Sequence, residues 1–158
     1  YGTETMHVLR AEKGYIIVGQ DTDGSVTPFD LGMGGLVSQT KDFLGRRSLK
    51  RSDTAKEGRK QFVGLLTDDA QYVLPEGGQI VAPDAQARSD GTTAMIGHVT
   101  SSYYSPILQR SIALAVVKGG LNKMGERVVI PMADGRRVSA QIASPIFYDT
   151  EGVRQHVE

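Results

Sequence analysis

From residue 62 onward, short apolar runs recur at 62–66, 79–82, 94–100, 112–117, 127–132 and 138–142, separated by glycine, proline and polar turns. Runs of this length and punctuation predict strands of a β-sandwich or barrel. Val138, Ala140 and Ile142 alternate with Ser139 and Gln141, the pattern of a half-buried strand, and the preceding Asp134-Gly135 pair signals a tight hairpin. The run 112–117 is apolar on both faces and is predicted to be a central strand. Residues 85–93 lack large apolar side chains and read as a loop.

The first 60 residues follow a different pattern. Thr3 is placed to cap a helix with Glu4 in its first turn, Met6 and Leu9 on one face, Lys13 in its last turn and Gly14 as its stop. Residues 15–18 read as a buried strand and 19–25, with Asp23-Gly24, as a turn. Thr27-Pro28 opens a second helix that Gly32, Gly34 and Gly35 weaken. Helical spacing returns over 42–50, with Phe43 and Leu49 inward and Arg46, Arg47 and Lys50 outward. Residues 51–60 are charged and poor in large apolar groups, the composition of a linker, which places a boundary near residue 60. The predicted class is therefore α+β: an α+β segment over 1–60, then a distorted β-barrel over 61–158. The chain opens at Tyr1 directly on a helical pattern, so it is expected to be a fragment of a longer polypeptide.

Composition narrows the function classes. With 18 basic and 18 acidic side chains the net charge is zero, which argues against nucleic acid or a membrane surface as the main partner. No apolar run approaches the roughly 20 residues of a membrane span. The absence of cysteine removes disulfides, thiolate metal sites and cysteine nucleophiles, and fits a reducing, cytoplasmic setting. His7, His98 and His156 are dispersed without ligand-spaced partners. Residues 21–25 begin like a calcium loop, but Val26 stands where glycine is required and Gly32 where a bidentate glutamate is required. Neither a nucleophile elbow nor a phosphate loop is present.

The candidate chemistry lies at the end of the first helix. In Leu9-Arg10-Ala11-Glu12-Lys13-Gly14-Tyr15 a lone carboxylate stands beside an aromatic ring. One ionised carboxylate can accept from an adjacent N–H and amino group of a flat heterocycle, as it accepts an arginine fork. From the residues alone, Glu12 is a solvated or ion-paired helix glutamate, and Tyr15 a core aromatic or a platform for a ring. Lys41 begins a stretch, 41–60, with eight basic residues against three acidic ones, a solvated face or an attraction for carboxylates. Tyr148, in Pro145-Ile146-Phe147-Tyr148-Asp149, and its neighbour Phe147 are candidates to close the barrel or reach a site.

Taken in order, Leu9 to Tyr15, Gly19, Thr27-Pro28, Lys41-Asp42-Phe43-Leu44-Gly45-Arg46, Gly97-His98-Val99-Thr100-Ser101, Tyr104-Ser105-Pro106, the apolar run 112–117 and the 145–149 string resemble the C-terminal portion of the aminomethyltransferase family, the folate-binding T-protein of glycine cleavage and its relatives. Residues 11–20 and 97–106 bring the chain closer still to the alpha subunits of heterotetrameric sarcosine oxidases. The resemblance covers nearly the whole chain. It implies that 1–60 ends a folate-binding domain and that 61–158 is the family's C-terminal barrel. It implies that Glu12 binds the pterin of tetrahydrofolate, that Lys41 stands near a folate-contacting arginine of the T-protein, and that Tyr148 returns toward the same site. The chemistry implied is oxidation of sarcosine at a flavin and capture of the resulting iminium by tetrahydrofolate, giving glycine, hydrogen peroxide and 5,10-methylenetetrahydrofolate. FAD, FMN, NAD and a catalytic aspartate are then expected elsewhere in the parent complex, with its other subunits as partners, and this chain alone is expected to be inactive. A stand-alone aminomethyltransferase acting on a lipoyl-bound group and a non-catalytic subunit-docking module are the other readings.

Overall fold

The computed structural model describes residues 2–156; Tyr1 lies outside them. All six apolar runs are strands: β1 (Lys60–Thr67), β2 (Gln79–Val81), β3 (Met95–Ser105), β4 (Arg110–Lys118), β5 (Arg127–Pro131) and β6 (Arg137–Ala143). They close an antiparallel barrel in the order β1-β4-β3-β2-β5-β6, with β6 pairing back to β1. The Asp134-Gly135 turn joins β5 to β6, and the Asp134 carboxylate accepts the Arg136 N–H at 3.0 Å.

β4 shows why two apolar layers form. Ala113, Ala115 and Val117 point into the barrel, where they meet Val63, Leu65, Val99, Ile130 and Ile142. Small side chains on this strand suit the narrow lumen of a six-stranded barrel. Ile112, Leu114 and Val116 point outward and form a second layer with Ala11, Phe62, Ile16, Leu31 and Phe147. A strand apolar on both faces must be covered twice, and the first helix, the following loops and the C-terminal segment supply the outer cover. Gly64 makes room for that cover: a Cβ there would lie 2.6 Å from the Phe147 ring.

The first 59 residues depart from several expectations. The helix α1 (Thr3–Glu12) is present, but Gly2 rather than Thr3 is its N-cap, without a side-chain cap, and Lys13 is its C-cap. Met6 and Leu9 share a face, yet that face is exposed, because the helix meets the barrel through Ala11 and Glu12. Residues 15–18 are not a buried strand. Asp21 closes them into a turn by accepting the Ile17 N–H at 2.9 Å, so only Ile16 packs inward and Val18 is 83% exposed. The helix expected after Pro28 is replaced by turns and a 3₁₀ segment, Gly34–Leu36, and that expected over 42–50 by turns and Ser48–Lys50, also 3₁₀. Three glycines in the first stretch remove the propensity a helix needs.

The polar segment before β1 is more than a tether. Arg59 donates through Nε to both Asp30 carboxylate oxygens, at 3.1 and 2.9 Å, and through Nη2 to Oδ2 at 2.8 Å and to the Ser25 carbonyl. Asp30 also receives the Thr27 N–H and hydroxyl at 2.8 and 2.9 Å. Its carbonyl takes the Phe62 N–H at 2.7 Å. Burial pushes the Asp30 carboxyl up, but the hydrogen bonds from Arg59 and Thr27 outweigh it and hold it below the usual carboxylate range. A folded-state pKa below the unfolded value contributes stability that is present above the unfolded value, near 3.9, and lost as pH falls through the folded one. Arg59→Leu, which strands a buried carboxylate, should cost about 3 kcal/mol at neutral pH. The check is the denaturant midpoint, and the gap from the unaltered protein should narrow as acid protonates Asp30.

Candidate functional site

The end of α1 is held by the C-terminal segment. Gly14 adopts φ 71°, and a Cβ there would lie 2.7 Å from the Pro145 carbonyl oxygen, so glycine is required both for the stop and for the close approach. The Glu12 carbonyl accepts the N–H groups of Phe147 and Tyr148 at 2.9 and 3.0 Å. Lys13 completes the clasp on Asp149, with its ammonium 3.0 Å from the carboxylate and bonded also to the carbonyl. The Lys13 hydrogen bond holds the Asp149 carboxyl below its ordinary value.

The Glu12 side chain is buried beside this clasp, with the residue 4% exposed. Its Oε1 accepts the Ser105 hydroxyl at 2.5 Å. Its Oε2 has no hydrogen-bond partner among the described residues. Residues three apart on a helix are neighbours, so Met6 and Leu9 lead along one edge of α1 to Glu12; they are 56% and 55% exposed. A carboxylate with one oxygen fixed by a hydroxyl keeps lone pairs that can accept hydrogen bonds from a flat, partly apolar ligand.

A second buried carboxylate sets the helix position. Asp21 receives Arg10 Nη1 at 2.5 Å, the Ile17 N–H at 2.9 Å, and the Thr100 and Ser101 hydroxyls at 2.5 and 2.7 Å. Adjacent residues of a regular strand point to opposite faces, but β3 bulges here: Val99 pairs with Ala115 and Ser101 with Leu114, leaving Thr100 as the extra residue. The bulge brings both hydroxyls to one carboxylate. Ser101 in turn accepts Arg10 Nη2 at 2.7 Å and Gln20 Nε2 at 3.1 Å. Residues 101–105 continue β3 beyond the bulge. The sequence signal for this network is the adjacent hydroxyl pair Thr100-Ser101 at the end of an apolar run.

Tyr148 is brought to Glu12 by its backbone, while its ring stacks under the Arg154 guanidinium at 5.5 Å. Tyr15 lies three residues beyond Glu12 and is 59% exposed, which removes the core explanation for it. Lys41 is not joined to them: it is exposed, its N–H bonds Ser38 Oγ and its carbonyl faces Arg46 at 3.5 Å, all within its own loop. A cleft of about 460 Å³ opens beside the Asp21 turn, lined by Asp23, Lys60, His98 and Lys118 among others; Glu12 is not in its wall. Burial and the nearby Lys60 push the His98 imidazole down despite the opposing pull of Asp23. Among the described residues no three metal-binding side chains gather, and no helix is long and apolar enough to cross a membrane.

Comparison with known proteins bears on this geometry. The glycine cleavage T-protein C-terminal barrel domain matches residues 60–149, and the GCVT N-terminal domain matches residues 1–41. The sarcosine oxidase subunit alpha of Corynebacterium sp. (strain U-96) is 52% identical over 155 residues, covering 98% of this chain and 16% of that protein. An aminomethyltransferase of Thermotoga maritima is 29% identical over 93% of this chain and 37% of its own length. The crystal structure of glycine cleavage system aminomethyltransferase T from Bartonella henselae superposes with a TM-score of 0.73 at 22% identity, over 91% of this chain and 38% of that one, a likeness of fold. The chain thus spans about one sixth of the length of its sarcosine oxidase relatives.

The Asp21 network predicts a severe effect from an isosteric change. Asp21→Asn puts an amide donor among four donors and leaves Arg10 without a counter-charge; it should cost about 3 kcal/mol. A lowered unfolding midpoint is the expected reading, and an unchanged one would show that the pair does not anchor the helix.

Proposed function

The chain belongs to the glycine cleavage T-protein C-terminal barrel family, and from that premise we propose that it is the folate-contacting end of a sarcosine oxidase alpha subunit. On this reading residues 1–60 close the folate-binding domain and 61–158 form its barrel domain. The observation that carries it is Glu12: a nine-tenths buried carboxylate at the end of α1, with one oxygen fixed by Ser105 and no hydrogen bond to the other among the described residues. Identity of 52% along nearly the whole chain favours the sarcosine oxidase reading over a stand-alone aminomethyltransferase, at 29%.

The parent reaction proposed is oxidative demethylation of sarcosine to glycine, with dioxygen accepting the two electrons to give hydrogen peroxide and the one-carbon unit passed to tetrahydrofolate as 5,10-methylenetetrahydrofolate. Tetrahydrofolate, when bound, supplies the nucleophilic nitrogens. The role of this chain is to hold and orient. Glu12 accepts the pterin N–H and amino group, Leu9 and Met6 shield one edge from water, and Tyr15 offers its ring as a flank. Fixing the heterocycle makes one-carbon capture effectively intramolecular, which is how positioning accelerates a step without proton transfer. Lys41, in its basic stretch, would attract the carboxylates of the folate tail, and Tyr148 would border the pterin end. FAD, FMN and NAD belong, on this proposal, to parts of the complex outside these residues, and the other subunits are its partners.

The test is Glu12→Ala in the full-length polypeptide assembled with its subunits. Loss of a charge-assisted contact should weaken tetrahydrofolate binding by at least about tenfold. Sarcosine-dependent peroxide formation should be largely retained, with free formaldehyde rising as capture fails. Unchanged folate affinity would contradict the assignment.

A further inference from the structure

We infer that Ser105 is a positioning residue for Glu12, setting which oxygen of the carboxylate is presented to the ligand; the inference rests on the folate reading above. Ser105 is the last residue of β3 and is fully buried. Its Oγ accepts the Leu108 N–H at 3.1 Å across the turn that leads into β4. A serine hydroxyl has a single proton, and with one lone pair occupied by Leu108 that proton is directed to Glu12 Oε1, 2.5 Å away. Both partners are buried.

The consequence concerns side-chain orientation alone. The terminal torsion of a glutamate is broad and intrinsically permissive. Here the Ser105 bond selects one setting, with Oε1 held on a buried hydroxyl. The backbone of Glu12 is held separately, by Phe147 and Tyr148 on its carbonyl, so removing the hydroxyl releases the carboxylate without releasing the helix end. The β3–β4 hairpin thereby contributes to ligand orientation although its own side chains need not touch the ligand. The Leu108 N–H makes this possible, because it converts a free hydroxyl rotor into an aimed donor.

The experiment is a double-mutant cycle in the full-length polypeptide with its subunits, read as the dissociation constant of tetrahydrofolate under anaerobic conditions. Ser105→Ala, Glu12→Gln and the pair together are compared. Ser105→Cys accompanies them, since it preserves volume while replacing a strong donor by a weak one, and it serves alone if the alanine variant does not fold. The expected result is about a tenfold weakening for Ser105→Ala, a loss for Glu12→Gln, and no further loss when the two are combined, because Ser105 acts only by orienting the charged carboxylate that the glutamine variant lacks. Additive losses would overturn the inference by showing that Ser105 acts on folding or binding independently of Glu12. Wild-type affinity in Ser105→Ala, with weakened binding in Glu12→Gln, would overturn the inference and leave the folate reading standing. Wild-type affinity in Glu12→Gln would overturn the reading on which it rests.

Discussion

The constraint from which the rest of this structure follows is the double-faced apolar strand β4. Its inward alanines and valine fill a narrow barrel, and its outward Ile112, Leu114 and Val116 demand a second cover. That cover is assembled from both ends of the described chain: α1 and the loop after it from one side, the Pro145–Phe147 stretch from the other. Where the two meet, the carbonyl of Glu12 takes two N–H groups of the C-terminal segment, and Gly14 lets the chains approach. The candidate site is thus a by-product of closing an apolar layer, and its carboxylate is fixed by elements far apart in sequence.

Two buried ion pairs hold that cover in register. Arg10 with Asp21 ties the helix and its following turn to the β3 bulge, and Arg59 with Asp30 ties the next turn to the start of β1. Each carboxylate is surrounded by hydroxyl and backbone donors as well as its arginine, the arrangement in which a buried charge is tolerated. Such pairs specify geometry more than they add net stability, since their desolvation offsets much of their attraction. Here the geometry they specify is the placement of a polar, glycine-rich segment that has little apolar surface of its own.

The barrel was legible because its strands are self-declaring. Apolar runs bounded by Gly, Pro and Asp-Gly turns carry both element type and spacing, and the two-sided character of 112–117 marked the central strand. The candidate site could be picked out as a string, from Leu9 to Gly14, because a glycine stop and a carboxylate at a helix end are local features. What the residues did not disclose was long-range. The hydroxyls of Thr100 and Ser101 reach one carboxylate only because a bulge breaks the alternation, and Ser105 meets Glu12 across 93 residues. Residues 15–18 illustrate the opposite error: β-branched and aromatic residues suggested a strand, but Asp21 captured the Ile17 N–H and closed a turn. Local propensity lost there to a buried hydrogen bond.

The most direct measurement is a crystal structure of the full-length polypeptide with a reduced folate bound. The account places the pterin N–H and amino group within hydrogen-bond distance of the Glu12 carboxylate, with Ser105 still on Oε1 and the edge formed by Leu9 against the ring. A folate bound elsewhere, with Glu12 facing other protein groups or solvent, would contradict it.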